Sequence, residues 1–394
     1  MNAVGAPDDA PERGYPPRHP AVAFAVALIF NFVGPSTFNV LPLLSAGATS
    51  TLGFSERQAG VMSFAISVGS GVSALLSGLW VRSAPWPRAA ALSLGGMSLA
   101  YVLAMFVHNY VVFVLLQGVA GFCGSAALCL AVTILSDRPD SSRSFGIAFA
   151  MQTAYQVAAL WAGPTLLRLG GLNGVLILLA ASSGLAMLFA PLLPRSGARI
   201  APKHQPKFLL GPAALLALIG CGAYFVNAGA YWTYIELIGL AHGMSSRVVG
   251  NCVALGVSAG VLGGVLAGVL GNRFGDLWPL VLSTLLTLVA ALLLNGPMTT
   301  VIFTLSVILY YFAWNYSLAY QLSIVNAVDS TGRGVAMTGA FGYLGASAGA
   351  AVAALFVTPH DYTVVTWVAI IASCLSTALF AVSQAVHAGR RQAI

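Results

Sequence analysis

Residues 53–78 read GFSERQAGVMSFAISVGSGVSALLSG, and residues 243–268 read GMSSRVVGNCVALGVSAGVLGGVLAG, which is a degenerate copy of the same pattern. At an offset of 190 positions, the first copy shares six residues with the second, namely Gly53, Ser55, Arg57, Gly60, Leu76 and Gly78. The same offset relates Arg143 to Arg333, far from either stretch. One offset that holds at separate places indicates an internal duplication of the chain.

The composition around this repeat restricts the class of protein. Of 394 residues, 58% are hydrophobic and 7% are charged, whereas about 25% of the residues of an average soluble domain are charged. The net charge of +7 comes from basic residues spread thinly between apolar runs. They form no continuous basic stripe, so nucleic acid is excluded as a partner. A polytopic membrane protein remains.

The gaps between charged residues predict the number of membrane spans. A spanning helix needs about 20 mostly apolar residues, and six such stretches precede a polar, proline-rich segment at residues 194–207, with six more after it. The sequence therefore predicts an all-α membrane protein with twelve transmembrane helices in two pseudo-symmetric six-helix bundles. The predicted divisions are a tail at 1–20, a bundle at 21–193, a linker at 194–207, a bundle at 208–387 and a tail at 388–394.

The basic residues also predict the orientation. With the amino terminus inside, fourteen of the 17 Lys and Arg residues fall in cytoplasmic segments, where basic residues are retained. Only Arg57, Arg168 and Arg247 fall outside. We expect a multi-pass protein of the cell (inner) membrane with both termini cytoplasmic. The polar first twenty residues do not resemble a cleaved signal peptide, so the first span is expected to remain in the protein.

Ionisable side chains are nearly absent from the predicted spans. Glu236 is the one plausible membrane carboxylate, and such residues are costly and commonly functional. It follows an aromatic run near the outer end of span seven, so it is either a proton or cation carrier or a residue of the membrane interface. The five cysteines show no metal-ligand spacing. No metal site, cofactor or catalytic residue is expected.

Uncharged polar and aromatic residues recur at helical spacing in several spans. The candidate substrate-binding residues are Asn31, Asn39, Gln117, Gln152, Tyr155, Gln156, Asn227, Tyr231, Tyr310, Tyr311, Trp314, Asn315 and Gln321. Such residues either line a cavity or form hydrogen bonds between helices. For each residue taken alone, both alternatives stay open.

A loop motif suggests a family. Residues 268–276, GVLGNRFGD, resemble the G-x-L-A/G-D-R-F-G-R loop of the major facilitator superfamily, whose members have two six-helix halves. The amino-terminal copy, GLWVRS at 78–83, is more degraded. The resemblance implies a gating role for Arg273 and Arg82, which otherwise are positive charges that set topology. It also implies that the polar faces of spans one, five, seven and ten converge on a central cavity.

Two partial motifs bear on the direction of transport. Residues 117–121, QGVAG, resemble the R-x-x-Q-G-x-G signature of the family, with Val114 at the arginine position. Gly163 and Pro164 resemble the core of a motif of proton-driven exporters, and we assign them a gating role. The alternative is a simple kink in the helix. The resemblance thus implies the drug and metabolite efflux branch.

The function expected from these features is secondary active transport by alternating access. No intramembrane constellation suits an enzyme, no ring of charge suits a channel, and no phosphate-binding loop supports ATP drive. A receptor is also less favoured. We expect proton-coupled export, by an antiporter, of a neutral, amphipathic or weakly cationic molecule. An uptake permease or an uncoupled facilitator is the alternative. The expected partners are the substrate, the lipid bilayer and protons, and the expected state is a monomer.

Overall fold

The computed structural model describes residues 20–137, 141–195, 210–271, 273–329, 333–358 and 361–392. The predicted linker therefore lies almost entirely outside the described residues. The helices are α1 Pro20–Val33, α2 Ser36–Asn39, α3 Leu41–Leu52, α4 Glu56–Trp80, α5 Trp86–Ala104, α6 Tyr110–Ser136, α7 Ser141–Met187, α8 Pro212–Ala241, α9 Ser246–Leu270, α10 Leu277–Leu293, α11 Thr300–Val328, α12 Arg333–Phe356 and α13 Thr363–Gln392.

These helices form the predicted all-α membrane fold of twelve crossings. Within the described ranges, eight helices are long and apolar enough to cross a bilayer, and α1 and α10 are shorter apolar helices. α1 to α3 together make the first crossing, and α7 makes the fifth and sixth. The last helix continues through Gln392, past the predicted end of the bundle at 387. We call the side of the bilayer that holds residues 20 and 392 the terminal side, and the other the distal side.

The first crossing is interrupted, which corrects a sequence expectation. The α-helix ends at Val33 and again at Asn39, around Gly34 and Pro35. A side chain at position 34 would lie 2.7 Å from the carbonyl oxygen of Gly124, so α6 packs directly on the break. Helical spacing predicts Asn31 and Asn39 on one continuous face, and the break separates them.

The fifth and sixth crossings join without a loop. α7 runs through both of them as one element, but Gly171 within it has the non-helical angles φ 56° and ψ −146°, which turn the chain back into the membrane. The backbone amide of Leu172 donates to Thr51 Oγ1 at 3.0 Å. Arg168 therefore lies beside a tight turn on the distal side, where the charge gaps predict a boundary.

The two halves show their duplication in local geometry. Gly53 and Gly243 both have positive φ, 68° and 78°, in the turns before α4 and α9. Ser55 then caps α4 by accepting from the amide of Gln58, and Ser245 caps α9 by accepting from the amide of Val248. A glycine for the left-handed turn and a serine for the exposed helix amides explain why these positions match.

The halves contact each other mainly through α4 with α12, α7 with α9, and α3 with α8. A set of distal contacts, which we call the distal seal, includes two hydrogen bonds. The indole Nε1 of Trp232 donates to the carbonyl of Phe38 at 2.7 Å, and the Tyr234 hydroxyl donates to the carbonyl of Glu56 at 3.1 Å.

Two repeat-related glycines belong to the distal seal as well. A side chain at Gly60 would collide with the Tyr234 hydroxyl, and one at Gly250 would lie 2.5 Å from Pro164 Cγ. Both halves therefore use the equivalent glycine to let the opposite half approach closely.

Candidate functional site

A cavity of about 290 Å³ lies between the two halves. α2, α6 and α7 line it from the first half, and α8, α9, α11 and α12 from the second. The lining residues are Pro35, Phe38, Asn39, Leu128, Phe149, Gln152, Thr153, Gln156, Phe225, Trp232, Val257, Tyr310, Tyr311, Trp314, Asn315, Leu318, Gly339 and Tyr343. None of these residues is charged.

The distal seal closes one end of this cavity. Trp232 lines the cavity and also donates to Phe38 in the seal. Toward the terminal side the lining continues through Phe149, Leu318 and Gly339, which lie in the terminal-side parts of α7, α11 and α12. The cavity therefore extends from mid-membrane toward the side that holds the chain termini.

The polar lining consists mainly of carboxamides held by neighbours. Gln156 Nε2 donates to the carbonyl of Asn39 at 3.3 Å. Asn31 lies behind the wall, where its Nδ2 donates to the carbonyl of Ala148 at 3.1 Å and approaches Gln152 Oε1 at 3.4 Å. Because amides both donate and accept hydrogen bonds, this wall suits uncharged polar groups of a ligand.

The remaining lining is largely aromatic. Trp314 packs against Phe225 with ring centroids 5.0 Å apart, and Trp232 packs edge-on against Tyr311 at 5.3 Å. Such edge and tilted pairs leave ring faces available to a ligand. An apolar, aromatic cavity with a few amides is typical of a site for small organic molecules.

Tyr310 is held in place by two predicted residues that do not line the cavity. Its ring stacks on Tyr231 with centroids 3.6 Å apart, and its hydroxyl donates to Asn227 Oδ1 at 3.2 Å. Tyr231 is anchored in turn by a 3.1 Å hydrogen bond with Ser306. Asn227 and Tyr231 therefore position a cavity residue from inside the second half.

Seven of the candidate binding residues line the cavity: Asn39, Gln152, Gln156, Tyr310, Tyr311, Trp314 and Asn315. Asn31, Gln117, Tyr155, Asn227, Tyr231 and Gln321 are not among the residues that line it, which corrects their expected position. For example, the Tyr155 hydroxyl donates to Ser182 at 3.2 Å, and Gln321 donates to Ser317 at 3.2 Å. Helical spacing shows which residues share a face but not which face points at the cavity.

Most of the apolar lining is missing from the residues that the sequence predicts. The cavity is lined by four aromatic residues that were not predicted, Phe38, Phe225, Trp232 and Tyr343. The sequence favours polar residues as candidates because polar residues are rare within spans, whereas aromatic residues are common there. The sequence pattern places Trp232 only in an interfacial aromatic run. Phe225 and Trp232 could have been predicted from their position on α8, next to the polar candidates of that helix.

Glu236 is buried in the second half near the distal end of α8. Its side chain is 1% exposed, and Ser246 Oγ lies 3.5 Å from its Oε1. It does not line the central cavity. This burial argues against the membrane-interface alternative, since an interfacial carboxylate would reach water.

The predicted gating residues lie at opposite ends of the molecule. Arg82 pairs with Asp137, with Nη2 to Oδ1 at 3.1 Å, and joins the terminal-side ends of α4 and α6. Arg273 is exposed after α9. Pro164 packs against Gly250 in the distal seal, and a side chain at Gly163 would collide with Leu43.

A second pocket of about 210 Å³ opens on the distal side of the second half. It is lined by His242, Asn295, Asp361 and Thr366 among others. Hydrogen bonds from the hydroxyl and amide of Thr363 lower the pKa of the exposed Asp361 carboxyl. This pocket shares no lining residue with the central cavity.

Two six-helix halves around a central cavity form a fold that solved structures of membrane transporters share. No protein-family model matches the sequence, and no curated protein is significantly similar to it. The fold is evident from solved structures instead.

A mutant of the nucleoside transporter NupG is similar to this chain, with a TM-score of 0.75 and 16% identity over 92% of this chain and 98% of that one. A bacterial homologue of the human lysosomal transporter Spinster, inward-facing and unoccupied, has a TM-score of 0.70 and 15% identity over 95% and 97% of the two chains. A bacterial homologue of the iron transporter ferroportin, also inward-facing, has a TM-score of 0.70 and 14% identity over 93% and 98%.

Proposed function

We propose that the protein is a secondary transporter that moves an uncharged or weakly cationic amphipathic molecule across the membrane by alternating access. The observation that carries this proposal is the charge-free, aromatic and amide-lined cavity between two pseudo-symmetric halves. The similarity in fold to several transporters supports it. A cavity without Lys, Arg or His offers no strong partner for a carboxylate or phosphate, so anionic substrates are disfavoured.

The transport cycle follows from the contacts between the halves. Breaking the distal seal while closing the terminal side would expose the same cavity to the other side of the membrane. The seal relies on two hydrogen bonds and on close glycine contacts, which can separate without unfolding either half. Residues such as Tyr310 and Trp314 would contact the substrate throughout.

The direction and the driving ion belong to the same proposal. With both termini cytoplasmic, as the distribution of basic residues favours, this conformation receives substrate from the cytoplasm. Export is supported by the partial exporter motif at Gly163 and Pro164. The buried Glu236 is the candidate proton carrier of a proton antiporter in the inner membrane. An uptake permease or an uncoupled facilitator is the alternative.

Thermal-shift screening of the purified protein tests the substrate class, because a ligand stabilises the state that it binds. Compounds of equal size but different charge should be compared, and the hits then tested for transport in proteoliposomes. Trp314→Ala should remove the stabilisation by a hit. Trp278→Ala is the matched control, since Trp278 lies on α10 with 73% of its side chain exposed. Stabilisation only by anionic compounds, or equal loss in both variants, would contradict the proposal.

A further inference from the structure

Of the polar atoms that are buried in the second half without a hydrogen-bond partner among the residues that the structure describes, three belong to neighbouring side chains. They are the hydroxyl oxygens of Tyr224 and Thr287 and the amide nitrogen of Asn227. All three side chains are at most 3% exposed. Leaving such groups unpaired costs free energy, and more so within a membrane. A ligand group that pairs with them would recover that cost.

These atoms belong to one polar pocket, which we call the buried polar pocket and define by Tyr224, Asn227, Ser283, Thr287 and Ser317. The Tyr224 hydroxyl faces the hydroxyls of Ser283, Thr287 and Ser317 but meets none of them with the distance and angle of a hydrogen bond, and Asn227 follows one turn later on α8. Ser283 and Ser317 donate to backbone carbonyls at 3.0 Å, so their oxygens still can accept. The pocket thus offers several donors and acceptors and no charge.

Two aromatic residues separate the buried polar pocket from the central cavity. Trp314 lines the cavity and packs on the other side against Tyr224, with ring centroids 5.5 Å apart. Tyr310 also lines the cavity, and its hydroxyl reaches Asn227 Oδ1. A rotation of the Trp314 side chain would therefore expose the buried polar pocket to the central cavity.

We propose that the buried polar pocket is a deep subsite of the central cavity, which receives an uncharged hydroxyl-bearing or amide-bearing group of the transported molecule when the Trp314 ring turns aside. This inference rests on the proposed transport function and narrows its substrate class. A charged group would enter without a counterion and is excluded. An apolar group would leave the buried donors and acceptors unpaired, so the subsite selects for hydrogen-bonding substrates.

Access to the pocket can be measured with the neutral, hydroxyl-bearing reagent 2-hydroxyethyl methanethiosulfonate. Thr287→Cys and Ser283→Cys variants of the full chain are treated with it, and peptide mass spectrometry reads each cysteine separately. The matched control is Thr284→Cys on the same helix, which is 9% exposed against 1% at positions 283 and 287 and is bonded to Thr377 on α13. Position 287 or 283 should react about tenfold faster than position 284, and Trp314→Ala should accelerate the reaction further.

The selectivity is tested by protecting Ser283→Cys with either of two probes that have one carbon skeleton. We expect 3-phenyl-1,2-propanediol to slow the modification several-fold and propylbenzene to leave it unchanged. Equal rates at 283, 284 and 287 would overturn the inference, because the pocket would then be no more accessible than a helix interface. Equal protection by the two probes, or none by the diol, would overturn its selectivity for hydroxyl groups. The labelling result does not depend on transport, so a failure of the proposed function would be recognised separately by the proteoliposome assay.

Discussion

Replacing Tyr234 with phenylalanine removes one hydrogen bond of the distal seal and leaves the ring. The lost bond is the 3.1 Å donation to the carbonyl of Glu56 in the other half. A hydrogen bond of this kind contributes about 1 kcal/mol net. In the proposed transport cycle it is present only while the distal side is closed, so Tyr234→Phe should shift the ratio of distal-open to distal-closed molecules about fivefold toward the open state. Adding Trp232→Phe removes the second bond and should shift the ratio further.

Distances between spin labels on the distal side measure this shift. Arg57→Cys and Gly296→Cys place one label in each half at exposed positions, in a background in which the five native cysteines are replaced. The fraction of long distances should rise in Tyr234→Phe and more in the double variant. Tyr320→Phe is the control, since that hydroxyl is buried within one half. An unchanged distance distribution in the double variant would refute the reasoning that these bonds close the distal side.

Four further results are expected. Asn315→Ala should weaken substrate binding several-fold at a normal level of protein in the membrane, and unchanged affinity would move this residue from binding to packing. Glu236→Gln should abolish accumulation driven by a pH gradient while binding persists, whereas a wild type that ignores the gradient would indicate a facilitator. Arg82→Ala and Asp137→Asn should each lower stability by about 1 kcal/mol in denaturation assays, and the double variant should cost less than the sum of the two. Reporter fusions to the linker and to the carboxyl terminus should both report the cytoplasm, and opposite sides would contradict twelve spans.

The fold was largely predictable because charge is so costly in a bilayer. Gaps between charged residues predict twelve crossings, and the structure has that architecture. The internal repeat was also predictable, since Gly53 and Gly243 both form the turn before a helix and Ser55 and Ser245 both cap that helix. The interruption near Pro35 was not predictable from hydropathy, because a broken crossing and a continuous one have the same composition.

The candidate site was only half predictable. In α11, Tyr310 and Trp314 line the cavity, while Gln321 on the same predicted face does not. The direction in which a face points depends on packing against other helices. A span buried on all sides has no polar exterior to mark its orientation. Apolar lining residues such as Phe38 could not be predicted either. In a hydrophobic helix, the sequence does not distinguish a residue that lines a cavity from one that packs against another helix.

The absence of charge among the residues that line the central cavity has an electrical consequence. Each elementary charge that crosses the membrane field is coupled to the potential by about 2.3 kcal/mol per 100 mV. A cavity that moves no charge, alone or with a neutral substrate, gives the field nothing to act on within the cavity itself. The membrane potential could then influence turnover only through charges outside the cavity, such as a proton carried by Glu236.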